Sequence, residues 1–172
     1  MKFNLQKLIL TITLVLSINT YFSQNNIYIG TSKFDANYTW RFKINGGWIQ
    51  GDGLLTFAKR NGGGMLLLSV KDFNGNIDGN IFIYLKDGSV IKCIDRNIND
   101  NVDHYTMAVY YLSLSEVELL KHSDIEDVRF TVEKYPFGPK NYTMSNQFTF
   151  YGDRNNVQTN PTAVEVQILM NK

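Results

Sequence analysis

Tyr38-Thr-Trp-Arg-Phe-Lys-Ile44 alternates without a break. Tyr38, Trp40, Phe42 and Ile44 fall on one face; Thr39, Arg41 and Lys43 fall on the other. Successive side chains of an extended chain point to opposite sides, so this period of two defines a half-buried strand with Trp40 in the core. Elsewhere, short apolar runs are cut again and again by Gly- and Asn-rich turns. That punctuation constrains the fold most, because it leaves room for many short strands and little else.

Leu54 to Arg60 and Met65 to Val70 flank Asn61-Gly-Gly-Gly64, a turn; the unbroken apolar run after it suits a central strand covered on both faces. "FNGN", Phe73 to Asn76, carries the Asn-Gly pair that tolerates the positive φ of a type I′ turn. Folding there pairs Lys71 with Asp78 and Leu68 with Ile81. Ile81 to Leu85 then meets Val90 to Ile94 across "KDGS", with Cys93 opposite Phe82 as a small buried hydrophobe. A polar loop, Asp95 to Asp103, precedes an apolar strand from His104 to Leu112.

Ser113-Leu-Ser-Glu116 is a capping box and opens a helix to about His122. Strands follow at Val128 to Val132, near Thr143 to Tyr151, and at Ala163 to Met170. The expected fold is mainly β: an antiparallel meander forming a β-sandwich or barrel-like domain with one short helix, about 114–122.

The chain opens MKFNLQKLILTITLVLSINTYFSQ. Lys2 and Lys7 precede a short apolar run, Leu8 to Ile18, and a polar segment, Asn19 to Gln24. That order is a secretory signal peptide. The apolar run falls short of the roughly 20 residues a spanning helix needs. Removing residues 1–23 leaves one β-rich domain, 24–172, with no membrane span. The expected location is periplasmic or extracellular. The ending "FSQ", with abundant Asn, Ile, Lys, Phe and Tyr, resembles exported proteins of AT-rich Bacteroidota such as flavobacteria. The resemblance implies an envelope or secreted location and no particular activity. Residues 104–132 also resemble a strand, Leu-Ser-x-x-Glu helix, Val-Arg-Phe strand pattern of many bacterial proteins, a cue to fold alone.

Composition narrows the function. The net charge is +1 and no basic run or Lys/Arg stripe occurs, so the electrostatic footprint of a nucleic-acid binder is missing. Cys93 is the only cysteine, which rules out an intrachain disulfide. Asp72, Asn74, Asn76, Asp78 and Asn80 are spaced like calcium ligands, but Ile77 and Ile83 stand where an EF-hand loop needs Gly and Glu. One Cys and two His without ligand spacing do not make a zinc site. Cys93 with His104 or His122 offers a thiol–imidazole pair, but Cys93 belongs to a strand and His122 suits a helix end. Asp124, Glu126 and Asp127 read as a solvated acidic edge. No catalytic residue, metal or cofactor is assigned.

Trp48, directly after Gly46-Gly47, is the candidate binding residue. A two-residue loop at Gly46-Gly47 or at Asn45-Gly46 places Trp48 on the face of Arg41 and Lys43; a three-residue loop sends it to the core. Two-residue loops are the commonest hairpin connections, which favours the polar face. An indole beside Arg41 and Lys43 is a stacking platform for sugar rings or an anchor for a protein partner. The functional expectation is an exported, non-catalytic β-domain binding a glycan or an envelope protein. A small hydrolase acting on an envelope polymer and an assembly component are the alternatives.

Overall fold

The computed structural model describes residues 25–45, 51–71, 75–134, 136–149 and 156–172. The fold is mainly antiparallel β with two short helices. The strands are β1 Asn25–Ile29, β2 Ser32–Ala36, β3 Trp40–Asn45, β4 Asp52–Arg60, β5 Gly63–Lys71, β6 Asn76–Leu85 and β7 Val90–Cys93. They continue as β8 Asn99–Val102, β9 Tyr105–Ser113, β10 Ile125–Lys134, β11 Gly138–Ser145, β12 Phe148–Thr149 and β13 Val157–Gln158. The helices are α1 Leu114–His122 and α2 Thr162–Met170.

Eleven strands form one sheet in the order β7-β6-β10-β11-β3-β4-β5-β9-β8, with the β1–β2 hairpin joined to it through β2 and β4. The sheet is not closed into a barrel. It curls until β6 lies beside β9 and β8, and side chains bridge that seam instead of a ladder. Tyr110 Oη donates to Gly79 O at 3.1 Å, Ile77 N donates to Thr106 Oγ1 at 3.3 Å, and Asn101 Nδ2 donates to Asn76 Oδ1 at 2.8 Å.

The concave face holds the main core, with Trp40, Phe42, Leu55, Phe57, Ile83, Tyr110 and Phe130 fully enclosed. Helices α1 and α2 pack on each other and close this core with Val117, Leu120, Val166 and Leu169. Gly64 permits the approach: a Cβ there would lie 2.5 Å from the Phe57 ring and 3.1 Å from Val117. Strand β3 alternates as its sequence predicts from Trp40 onward, buried at Trp40, Phe42 and Ile44 and exposed at Arg41, Lys43 and Asn45, but Tyr38, expected on the same face, precedes the strand and is exposed. The α1 capping box also forms in full: Glu116 N donates to Ser113 Oγ, and Ser113 N donates to Glu116 Oε2 at 2.7 Å.

Three expectations need correction. Ala163 to Met170 is helix, not strand; its buried residues Thr162, Val166 and Leu169 follow helical spacing. Strands β5 and β6 do not pair about Asn74-Gly75. Both edges of β5 are taken, by β4 and β9, so Lys71 faces Tyr105, while Ile81 faces Cys93. Asn74 itself lies outside the described residues. Third, Cys93 faces Ile81 and not Phe82, because the "KDGS" loop has three residues. Leu85 N donates to Ser89 O at 2.9 Å and Gly88 takes φ +87°, the three-residue turn with a glycine bulge. Within the segment expected to be a loop, β8 pairs with β9 across a two-residue turn, Asp103-His104.

Candidate functional site

Strands β2 and β4 meet at a single bridge, Ala36 opposite Ala58. Both alanines are buried in a second apolar cluster on the convex face of the sheet, with Met65 and Val109. The β1–β2 hairpin covers this cluster with Ile27, Ile29 and Phe34. Beyond the bridge the two strands diverge. Continued antiparallel pairing would set Asp35, Phe34 and Lys33 opposite Lys59, Arg60 and Asn61. Instead, those six residues line a cleft of about 450 Å³. The gap thus exists because one ladder stops early, and it opens between residues far apart in sequence.

The cleft carries three cations, Lys33, Lys59 and Arg60, against one carboxylate, Asp35. Among the described residues no ion pair joins Asp35 to any of them. The Arg60 guanidinium lies over the Tyr111 ring, with Cζ 4.4 Å from the centroid; that of Arg96 lies 5.5 Å from the same ring. Aromatic contact holds a guanidinium in place and leaves its N–H edge free to bind. Arg60 Nε is buried and has no hydrogen-bond partner among the described residues. Lys59 Nζ donates to Met170 O at 3.4 Å, setting an ammonium at the negative end of α2. Lys59 and Arg60, adjacent on β4, therefore reach opposite faces of the sheet.

The residues singled out from sequence lie elsewhere. Arg41 and Lys43 are exposed on β3, opposite Leu54 and Asp52. Asp52 and Arg60 mark the two ends of β4, roughly 26 Å apart at ~3.3 Å per residue. Lys43 pairs with Asp52, so the ladder has neither of the expected two-residue loop registers, which would pair it with Gln50 or Trp48. Trp48 lies outside the described residues. Across the sheet, Lys43 continues a row of convex-face residues, Ser145, Asp127 and Tyr84. Sequence reasoning missed Lys33, Asp35, Lys59 and Arg60. The available signal was the Lys59-Arg60 pair ending an apolar strand just before a glycine turn.

The catalytic candidates are not assembled. Cys93 sits in the main core at 1% exposure, and burial, then the Glu116 charge, pushes its thiol up to about 12. His104 and His122 are both exposed, and His122 Nδ1 lies 2.7 Å from Glu118 O in its own helix. Asp124 is structural: its Oδ2 meets Lys86 Nζ at 2.9 Å and its Oδ1 accepts from Ala163 N at 3.0 Å. Asn76 and Asn80, two of the spaced oxygen ligands, accept from Asn101 Nδ2 and Asp95 N. Among the described residues no group of three or more His, Cys, Asp or Glu gathers to hold a metal. None of the helices described is long and apolar enough to cross a membrane. Compared with family models, curated proteins and solved structures, the chain matches none.

Proposed function

We propose that the chain is an exported, non-catalytic β-domain that binds a glycan or a protein partner at the cell envelope. The observation that carries this reading is the cleft between β2 and β4, lined by Lys33, Asp35, Lys59 and Arg60, none of which forms an ion pair among the described residues. Charged groups kept apart on a concave surface are disposed for recognition. The leader-like segment ending near Gln24 supports export. Arg41 and Lys43 on β3, beside the far end of β4, are a second surface of the same proposal, with Trp48 its candidate from the sequence.

The test is to express the full chain in a flavobacterial host, fractionate the cells and read the N-terminus of the product. A mature start near Gln24 in the periplasm or medium is expected; an intact chain in the cytoplasm would contradict export. The recovered protein is then screened against glycans and envelope proteins. Retention without turnover is expected, and release of new reducing ends from a polymer would replace the binder with the hydrolase.

A further inference from the structure

We infer that the convex face of β6, β7 and β10 is a docking surface for a second copy of this chain, built on Phe82, Tyr84, Asp127 and Arg129. Buried and outward residues alternate around these positions. Phe82 and Tyr84 on β6, Val90 and Lys92 on β7, and Asp127 and Arg129 on β10 therefore all point away from the core. The ladders align them. Lys92, Phe82 and Arg129 form one row across the strands; Val90, Tyr84 and Asp127 form the next. Neighbours within a row lie ~4.8 Å apart, and the rows ~7 Å apart. Elsewhere on the convex side the β1–β2 hairpin covers the apolar residues. Here Val90 stays 50% exposed and Ile94, just beyond β7, 52%. Exposed apolar side chains beside two aromatics, rimmed by charge, mark a contact surface.

The pattern is complementary to itself, which selects a second copy over an unrelated partner. An isologous contact brings the same patch of two subunits together about a two-fold axis. An axis lying across the strands, between the two rows, exchanges them. Phe82 then meets Tyr84 of the second copy, Arg129 meets Asp127 of the second copy, and Lys92 lays its stem on Val90 of the second copy. Each contact occurs twice. Aromatic meets aromatic and cation meets carboxylate. Neither Arg129 nor Asp127 forms an ion pair among the described residues, so both charges are available. Two convex faces touch over less than the roughly 800 Å² per side of a standard interface, so the dimer is weak and concentration-dependent. Strands β11 and β3 separate this face from β4, so the dimer leaves the β2–β4 cleft open.

The test is sedimentation velocity of the exported protein at rising concentration, up to about 1 mM. The parent is expected to pass from monomer to dimer. Arg129→Asp and Asp127→Arg each set like charges against each other at both contacts, so each variant alone should stay monomeric at the parent's melting temperature. An equimolar mixture of the two variants pairs an aspartate with an arginine at every contact and should dimerise again. Val90→Lys, which sets an ammonium against Lys92 of the second copy, serves if either variant folds poorly, and should also stay monomeric. A parent that remains monomeric throughout would overturn the inference and leave the patch to an envelope protein. Dimers insensitive to all three variants would overturn it in favour of another face. Variants that stay monomeric when mixed would overturn the two-fold pairing of Arg129 with Asp127.

Discussion

The Glu165 carboxylate on α2 accepts the indole N–H of Trp40 on β3 at 2.8 Å and the side-chain amide of Asn37 at 3.2 Å. Asn37 in turn clamps β4: its Oδ1 accepts from Phe57 N at 2.7 Å, and its N donates to Phe57 O at 3.0 Å. Asn37 directly follows Ala36, the last residue of β2 and the one that bridges to β4. One carboxylate therefore fixes the helix, the buried indole and the corner from which the cleft opens.

Glu165→Ala is expected to destabilise the fold by about 2 kcal/mol, because it leaves the Trp40 N–H buried and unpaired. Thermal unfolding should show a fall of roughly 4–8 °C. Glu165→Gln, which keeps an acceptor oxygen, should recover most of the loss. Equal melting temperatures for Glu165→Ala and the parent would show that the bond does not anchor α2.

Helix α2 begins at Pro161 without a side-chain cap of its own. Asp124, from the turn after α1, replaces it by accepting from Ala163 N and pairing with Lys86. Partial burial raises the Asp124 carboxyl, but the Ala163 N–H and the Lys86 ammonium together outweigh it and hold the group below 3.8. A carboxylate lowered on folding stabilises above its unfolded value, and that contribution is lost as pH falls through the folded one. Asp124→Asn should therefore cost about 1 kcal/mol near neutral pH. The gap from the parent should close as the pH drops below 3.8. Denaturant midpoints from neutral pH down to pH ~2.5 read this directly; a gap that stays constant would refute the charge-based account.

The turn Asp103-His104 holds both residues at positive φ, +50° and +67°. Left-handed backbone costs an ordinary residue roughly 1 kcal/mol, whereas Asn-Gly adopts this turn readily. The double substitution Asp103→Asn with His104→Gly should raise the melting temperature by ~2–4 °C. An unchanged or lower value would mean the two side chains make contributions that offset the strain.

Cys93 lies at 1% exposure with its thiol pushed up to about 12, so the native protein should resist thiol reagents at pH ~8 and react at once in denaturant. Labelling at the same rate in both states would place Cys93 near the surface.

What could be read from the sequence is what short-range rules govern. The capping box at Ser113 and Glu116 marks α1 because its bonds lie within one turn. The alternation from Trp40 to Ile44 marks β3 because one face is core and the other solvent. Where long-range pairing decides, the local signal misleads. Val164, Val166 and Ile168 alternate like a strand, yet α2 forms because Val166 and Leu169 dock into the main core. The Asn74-Gly75 signal yields no β5–β6 ladder, since β9 returns to take that edge of β5. The cleft was invisible for the same reason: residues 33–35 and 59–61 become neighbours only through the Ala36–Ala58 bridge.

The most direct test of the account is to follow the backbone amide resonances of residues 33–35 and 59–61 by NMR while titrating the exported protein with a glycan or envelope protein that retains it. The account predicts shifts at these residues, with little change at Arg41. A spectrum in which Arg41 responds and Arg60 does not would contradict it and move the binding surface to the other end of β4.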